Sequence, residues 1–258
     1  MPNPRIFPTV DLMGVALHAI TQSQCVAHIL DESQAGRGGW VITPNLDHMC
    51  RLVNDSETRD LYQGASLMVA DGMPLIWASR LQGTPLPERV AGSDLTNTIP
   101  EEAARRGQSI FLLGGSNDAA HKAAVELRRR HPDLNIAGVH VPDFGFEKSA
   151  SQLAELEGAL QAASPDIVFV ALGSPKQEIL IKNLRDKFPD IWWLGIGISF
   201  SFICGDIQRA PMIIRKLGLE WVYRLIQEPR RLAKRYLVDG VPFAIRLLAN
   251  AISVRLKG

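Results

Sequence analysis

The sequence is poor in the patterns on which several common chemistries depend. Its three cysteines, Cys25, Cys50 and Cys204, are far apart and odd in number. No disulfide framework or metal-binding spacing can be drawn from them, so a reducing cytoplasm is the expected compartment. Asp-x-Asp does not occur, so the usual carboxylate pair for a metal–diphosphate complex is missing. The six histidines (18, 28, 48, 121, 131 and 140) form no ligand-spaced cluster, and there is no G-x-S-x-G elbow. P-loop and G-x-G-x-x-G patterns are absent too. The N-terminal MPNPRIFPTVDLMG lacks the apolar core of a signal peptide. The uncharged stretch IWWLGIGISFSFICG at 191–205 is too short, and too rich in Gly and Ser, to span a bilayer. Any membrane association is therefore expected to be peripheral.

What is present describes a globular protein: 46% apolar and 21% charged residues over 258 positions, enough for one substantial domain or one domain with an appendage. The net charge of +1 hides an asymmetry. From Ile207 to Gly258 there are eleven Lys/Arg against three Asp/Glu, or +8, which leaves −7 on the residues before it. A mildly acidic body with a basic tail points to an anionic contact for the tail: phosphate, nucleic acid or a membrane surface.

Short β-rich apolar runs alternate with helical patterns. WVIT (40–43) leads through Pro44-Asn45 into LDHMCRLVND, and SLMVA through Asp71-Gly72 into PLIWASRLQG. SIFLL (109–113) leads through GGSND into AAHKAAVELRRRH, and IVFVAL (167–172) through GSPKQE into ILIKNLRDKF. IWWLGIG (191–197) reads as a further strand. This is the pattern of βαβ units, hence an α/β fold with a mostly parallel, doubly wound sheet flanked by helices. Residues 83–100 read as a loop, with a helix starting at Ser93 or Asp94. Beyond about residue 206 the pattern is helical only, with Pro229 starting a new helix. The expected organisation is a main α/β domain over 1–205 and a basic, amphipathic helical appendage over 206–258. The last stretch, PFAIRLLANAISVRLKG, has a narrow polar stripe at Arg246, Asn250, Ser253 and Lys257, and so requires a protein partner or a lipid surface.

In open α/β sheets ligands bind outside the carboxyl ends of the strands. Thr43 and Asn45, Asp71, Gly114-Gly115-Ser116 and Gly173 to Glu178 all follow strands, and should converge on one rim. A helix N-cap accounts for one acid, but not for four polar or glycine-rich loops at one edge. Asp71 is therefore a candidate general base or sugar ligand. The glycine loops suit close backbone approach, and helix N-termini suit phosphate. GSPKQE adds Lys176 for charge, Gln177 for hydrogen bonding and Glu178 as a ribose ligand. Arg89 is placed to reach a diphosphate from the long loop, while His48 reads as structural.

The series TPN with Asn45, ADGMP with Asp71, RVAGSDL with Arg89, LLGGS, GSPKQE and GDIQRAP…GLEWVYRLIQEPRRLAKRY resembles the WecG/TagA/CpsF glycosyltransferases over about residues 10–237. The resemblance implies a Rossmann-like catalytic domain over 1–205 with the 206–258 appendage, in a bacterial, inverting, metal-independent enzyme that needs no cofactor. Such an enzyme moves a hexose from a UDP-sugar (UDP-N-acetylmannosamine, its uronic acid or UDP-glucose) to a polyprenyl-diphosphate-linked saccharide at the inner membrane face. Asp71 is then the expected base and Thr43 a catalytic or positioning residue. Asn45, Arg89 and Gln177, with Gly92, Ser93 and Asp94 of the same motif as Arg89, fall at the substrate. Arg224 and Arg231, with Lys234 or Arg235 nearby, would close over the site and bind diphosphate. Two departures stand out: Phe200 is followed by Ser201 where the family commonly has Asp, and MIIRKLG lacks an expected Trp. The competing reading is a nucleotide- or nucleic-acid-binding α/β protein with a cationic tail. Against it, the acidic body repels a long polyanion, and the tail lacks an aromatic platform. A different UDP-sugar enzyme, such as an epimerase, is a further competitor. Self-association is an alternative use of the tail's apolar faces.

Overall fold

A computed structural model describes residues 7–116, 118–216 and 218–257, with the side chains of Lys216 and Arg231 outside the described set. The chain opens with a hairpin, β1 (Thr9–Leu12) and β2 (Val15–His18). Its two-residue turn holds Met13 and Gly14 both at positive φ, the geometry whose twist matches antiparallel strands. Six further strands follow: β3 (Gly39–Ile42), β4 (Leu67–Met68), β5 (Ser109–Gly114), β6 (Asn135–His140), β7 (Ile167–Ala171) and β8 (Trp192–Gly195). They form one parallel sheet in the order β4-β3-β8-β7-β5-β6. The α/β expectation is met. The hairpin and β6 are additions that the sequence pattern did not mark.

Both faces of the sheet are covered, which is why β5 and β7 are buried at every position and read as unbroken apolar runs. Alternation still sorts the side chains. Trp40, Ile42, Phe111, Leu113, Val168, Val170 and Trp193 enter one core, and Val41, Ile110, Leu112, Phe169, Trp192 and Leu194 the other. The edge strand β4 is only two residues long and lies beside the hairpin, where the Met68 amide donates to His18 Nδ1 at 3.0 Å. A short, covered edge offers little to a foreign strand.

Residues after Ile203 are helical between short connections, as expected. The helices are Met212–Lys216, Glu220–Gln227, Pro229–Ala233, a π-helical stretch Lys234–Gly240, and Val241–Lys257. Glu228 leaves helical geometry, at φ −133° and ψ 58°, and Pro229 begins the next helix. Arg224 and Arg231 therefore sit on two helices, not on one continuous face. The last helix is built into the main core: Phe243, Leu247 and Ala251 are buried in the first apolar cluster, and the helix packs along Met73–Gln82. Lys234–Lys257 is long and apolar enough to cross a bilayer by length and composition, with 22% of its most apolar window buried against the protein.

Candidate active site

The carboxyl ends of β3, β4, β7 and β8 open onto one cavity of about 520 Å³. Each end places its polar group for a local reason. After β3, Asn45 takes extended geometry and caps helix Leu46–Asn54, its Oδ1 accepting from the Asp47 and His48 amides at 3.0 and 3.1 Å. After β4, the Asp71 amide donates to Pro44 O at 2.8 Å, while Gly72, at φ +151°, turns the chain into helix Met73–Gln82. Gly72 is the N-cap residue there and no side chain caps that helix, so the Asp71 carboxylate does not perform that task. The Val90 amide then pairs with Ala70 O at 2.8 Å, which draws Arg89 alongside Asp71.

Helix Gly92–Arg106, found where a start at Ser93 or Asp94 was expected, aims its N-terminus at the same cavity. A Cβ on Gly92 would stand 3.1 Å from Thr43 Oγ1, so glycine lets this helix end approach Thr43. Gly195 plays the same part opposite Gln177, whose Nε2 would lie 2.5 Å from an added Cβ.

Thr43, Asn45, Asp71, Arg89, Gly92, Ser93, Gly173, Gln177, Glu178, Arg224 and Arg235 all line this cavity. Asp94 stands behind it, gripping Arg89. The cavity excludes four other expected residues. Gly114 and Gly115 are in close packing instead: a Cβ on Gly114 would meet Ala171 O at 2.8 Å, and one on Gly115 would meet Phe200 at 3.3 Å. Lys176 is exposed, paired with Glu147 at 2.7 Å and lying over the Phe144 ring. Lys234 is exposed on the π-helical stretch. The Arg231 side chain lies outside the described residues.

The electrostatics of the cavity are those of paired charges in a partly dry space. The Asp71 side chain keeps 25% of its surface exposed, toward the cavity, and its pKa is raised to about 7. Burial is the leading cause; Arg89 pulls the value back down, and Glu220 and Asp94 push it up again. Arg89 lies 3.6 Å from Asp71 but 2.7 Å from Asp94 and 3.3 Å from Glu220. Across the cavity, Asp47 holds Arg51 and Arg235, each at 3.0 Å. His48 is kept neutral, its pKa pushed down to about 3, by burial first and then by the Arg51 charge. Arg224 is the more lightly held cation, 3.8 Å from Glu228. Gln177 is committed at both ends of its amide: Nε2 donates to Glu178 at 2.9 Å and Oε1 accepts from the Gly197 amide at 3.1 Å. Burial raises the Glu178 pKa, and its Oε2 has no partner.

Ser174, within the expected Gly173–Glu178 loop, also lines the cavity, whereas Arg51, Arg209, Arg215 and Glu220 carry no signal in the sequence that marks them individually. Arg209, Arg215 and Glu220 lie in the tail ahead of the basic residues that the sequence singles out. Their spacing gives no periodic signal, because they meet through tertiary packing. Trp221 lines the cavity as well, its ring 6.0 Å from that of Tyr236.

The structure is thus an α/β protein with a polar cavity at the carboxyl edge of a parallel sheet, holding a carboxylate and several arginines. The glycosyl transferase WecG/TagA/CpsF family model matches residues 10–257, and the chain belongs to that family. It is thus a glycosyltransferase of bacterial cell-surface polysaccharide synthesis, a class that uses a sugar donor and a lipid-linked acceptor.

Proposed function

We propose that this enzyme moves a hexose from a UDP-sugar to a polyprenyl-diphosphate-linked saccharide, with inversion at the anomeric carbon and Asp71 as general base. The observation that carries the reading is Asp71 itself: a cavity-facing carboxylate at a strand end whose pKa is raised to about 7. Such a group is largely ionised just above neutrality yet far more basic than a free aspartate. It can take the proton of an acceptor hydroxyl as that oxygen attacks the anomeric carbon and the bond to the UDP oxygen breaks. General-base assistance of this kind is worth about 10²–10⁴ in rate.

Negative charge grows on the departing diphosphate. Arg224, Arg215 and the N-terminus of helix Gly92–Arg106 face the same cavity and supply positive potential without a metal ion. Trp221 and Tyr236 of the tail wall that space, which limits water and therefore donor hydrolysis. Exposed Leu237, Val238, Ile245, Ile252 and Leu256, flanked by basic side chains, fit peripheral attachment to an anionic inner membrane face, where a lipid-linked acceptor resides.

The nucleic-acid reading loses support from the same geometry. Arg209, Arg215, Arg224 and Arg235 point into the protein and pair with Asp94, Glu220, Glu228 and Asp47, so much of the tail's charge is internal. The deciding assay incubates the protein with a panel of UDP-hexoses and a short polyprenyl-diphosphate sugar. Transfer with inverted stereochemistry that is lost in Asp71→Asn supports the reading. Wild-type turnover by Asp71→Asn removes Asp71 from the base role.

A further inference from the structure

Three acids and three arginines meet beside the cavity, and the way they share hydrogen bonds is lopsided. Arg89 is the cation nearest Asp71, yet its two terminal nitrogens are turned elsewhere. Nη2 bonds Asp94 Oδ2 at 2.7 Å and Nη1 lies 3.3 Å from Glu220 Oε2, leaving Asp71 Oδ1 at 3.6 Å. A second arginine ties the two competing acids together. Arg209 Nη1 bonds Asp94 Oδ1 at 2.6 Å and its Nε reaches Glu220 Oε1 at 3.3 Å, while Arg215 Nη1 adds a contact to Asp94 Oδ1 at 3.2 Å. Arg89, Arg209 and Glu220 side chains are 17%, 15% and 21% exposed, so water screens these contacts only in part.

A guanidinium in full contact with Asp71 would hold it ionised and make it a poor proton acceptor. We propose that Glu220 is a positioning residue for Asp71: locked by Arg209, it works with Asp94 to hold Arg89 back from the Asp71 carboxylate. Asp71 then keeps its appetite for a proton only while helix Glu220–Gln227 is docked. The tail segment thus does more than wall the cavity; it sets the strength of the base. This rests on Asp71 being the base of the proposed reaction, and assigns a regulator to that same site.

Among the described residues, the remaining charges around the cavity do not offer a substitute. Asp47 of helix Leu46–Asn54 is occupied by Arg51 and Arg235, and His48 is neutral. Arg224, on the same helix as Glu220, is directed to Glu228. Removing the Glu220 charge acts twice in one direction: repulsion on Asp71 falls, and Arg89 is freed to close on it. Both effects favour ionised Asp71.

The test follows Asp71 directly in the full chain. Protein labelled with ¹³C at the aspartate carboxyls is titrated by NMR, with Asp71→Asn assigning the resonance. The wild-type midpoint is expected near neutrality. In Glu220→Gln it should fall by about one pH unit or more, a tenfold weaker proton affinity, and Glu220→Asp should recover most of the difference. Asp94→Asn removes the other competitor and should move the midpoint the same way. A Glu220→Gln midpoint that stays put or rises overturns the proposal, and if that variant does not fold, the same result in Asp94→Asn does so. A kinetic arm with UDP-hexose and lipid acceptor should show the acid limb of kcat moving to lower pH in Glu220→Gln, with a lower plateau and little change in donor KM. If Asp71→Asn turns over normally, the base assignment fails while the NMR arm still decides whether Glu220 governs Asp71.

Discussion

At Asp71 the cost of burial falls on the ionised form, and consequences for stability follow with a definite sign. Its folded pKa, about 7, lies above the ordinary aspartate value. The group therefore binds its proton more tightly in the folded state, so its favourable contribution is complete below about pH 4 and is lost as pH rises through about 7. Asp71→Asn, neutral throughout, is expected to match the wild type in stability near pH 4. Above pH 7 it should exceed it by on the order of a few kcal/mol, read as a rising difference in urea midpoint. His48 has the opposite sign. Its pKa is depressed to about 3, so its contribution is present above about pH 6.5 and is lost as pH falls toward 3. His48→Gln should flatten the acid-side loss of stability between those limits; an unaltered profile would mean that His48 is not held neutral. At this scale the sequence told much about Asp71, since a carboxylate between an apolar run and Gly-Met-Pro is visible in one line. It told little about Arg209 and Glu220, whose partners Asp94 and Arg89 in turn are more than a hundred residues away. The glycines of LLGGS show the reverse: a loop that reads as a phosphate cradle packs closely, Gly114 on Ala171 of the next strand and Gly115 on Ala120 and Phe200, away from the cavity wall.

Among the elements, helix Val241–Lys257 has the widest influence on the site without entering the chemistry. It buries Phe243, Leu247 and Ala251 along helix Met73–Gln82, whose first residue lies two positions after Asp71. Removing the Leu247 side chain leaves a void in a closed core, and Leu247→Ala is expected to cost about 2–5 kcal/mol. Ile245, 64% exposed on the same helix, should change stability by less than about 0.5 kcal/mol when made Ser. Thermal unfolding of the two variants checks the contrast, and equal losses would contradict the packing described. The sequence made this helix plain, but not its partner, because an apolar surface spread round most of a helix fits protein and lipid equally. Residues that form β4 were legible as an apolar run; only their shortness as a regular strand was not, although backbone bonds from Val69 to Ile42 and from Asp71 to Pro44 carry the contact on to the rim.

For the whole molecule, the net charge of +1 conceals a tail at +8 and a body at −7, and the fold pairs part of one with the other. Arg209, Arg215 and Arg235 of the tail neutralise Asp94 and Asp47 of the body, and Arg89 of the body meets Glu220 of the tail, so the tail is fastened electrostatically as well as by the buried face of its last helix. The charge that remains outward, including Arg230, Lys234, Arg255 and Lys257, borders exposed Leu237, Val238, Ile245, Ile252 and Leu256. A surface of that kind binds anionic lipid by two additive terms: about 1 kcal/mol for each basic residue near the headgroups, and the area of apolar side chain buried below them. The first is screened by salt over a Debye length of about 8 Å at physiological ionic strength, and the second is not. Flotation with vesicles containing phosphatidylglycerol is therefore expected to fall steeply between low and high salt, yet not to zero. Ile245→Asp combined with Ile252→Asp should abolish the salt-resistant part while leaving the Asp71 titration unchanged, because neither side chain borders the cavity. Binding that vanishes entirely with salt in the unsubstituted protein would assign the attachment to charge alone, and return the exposed apolar strip to a contact between protein chains.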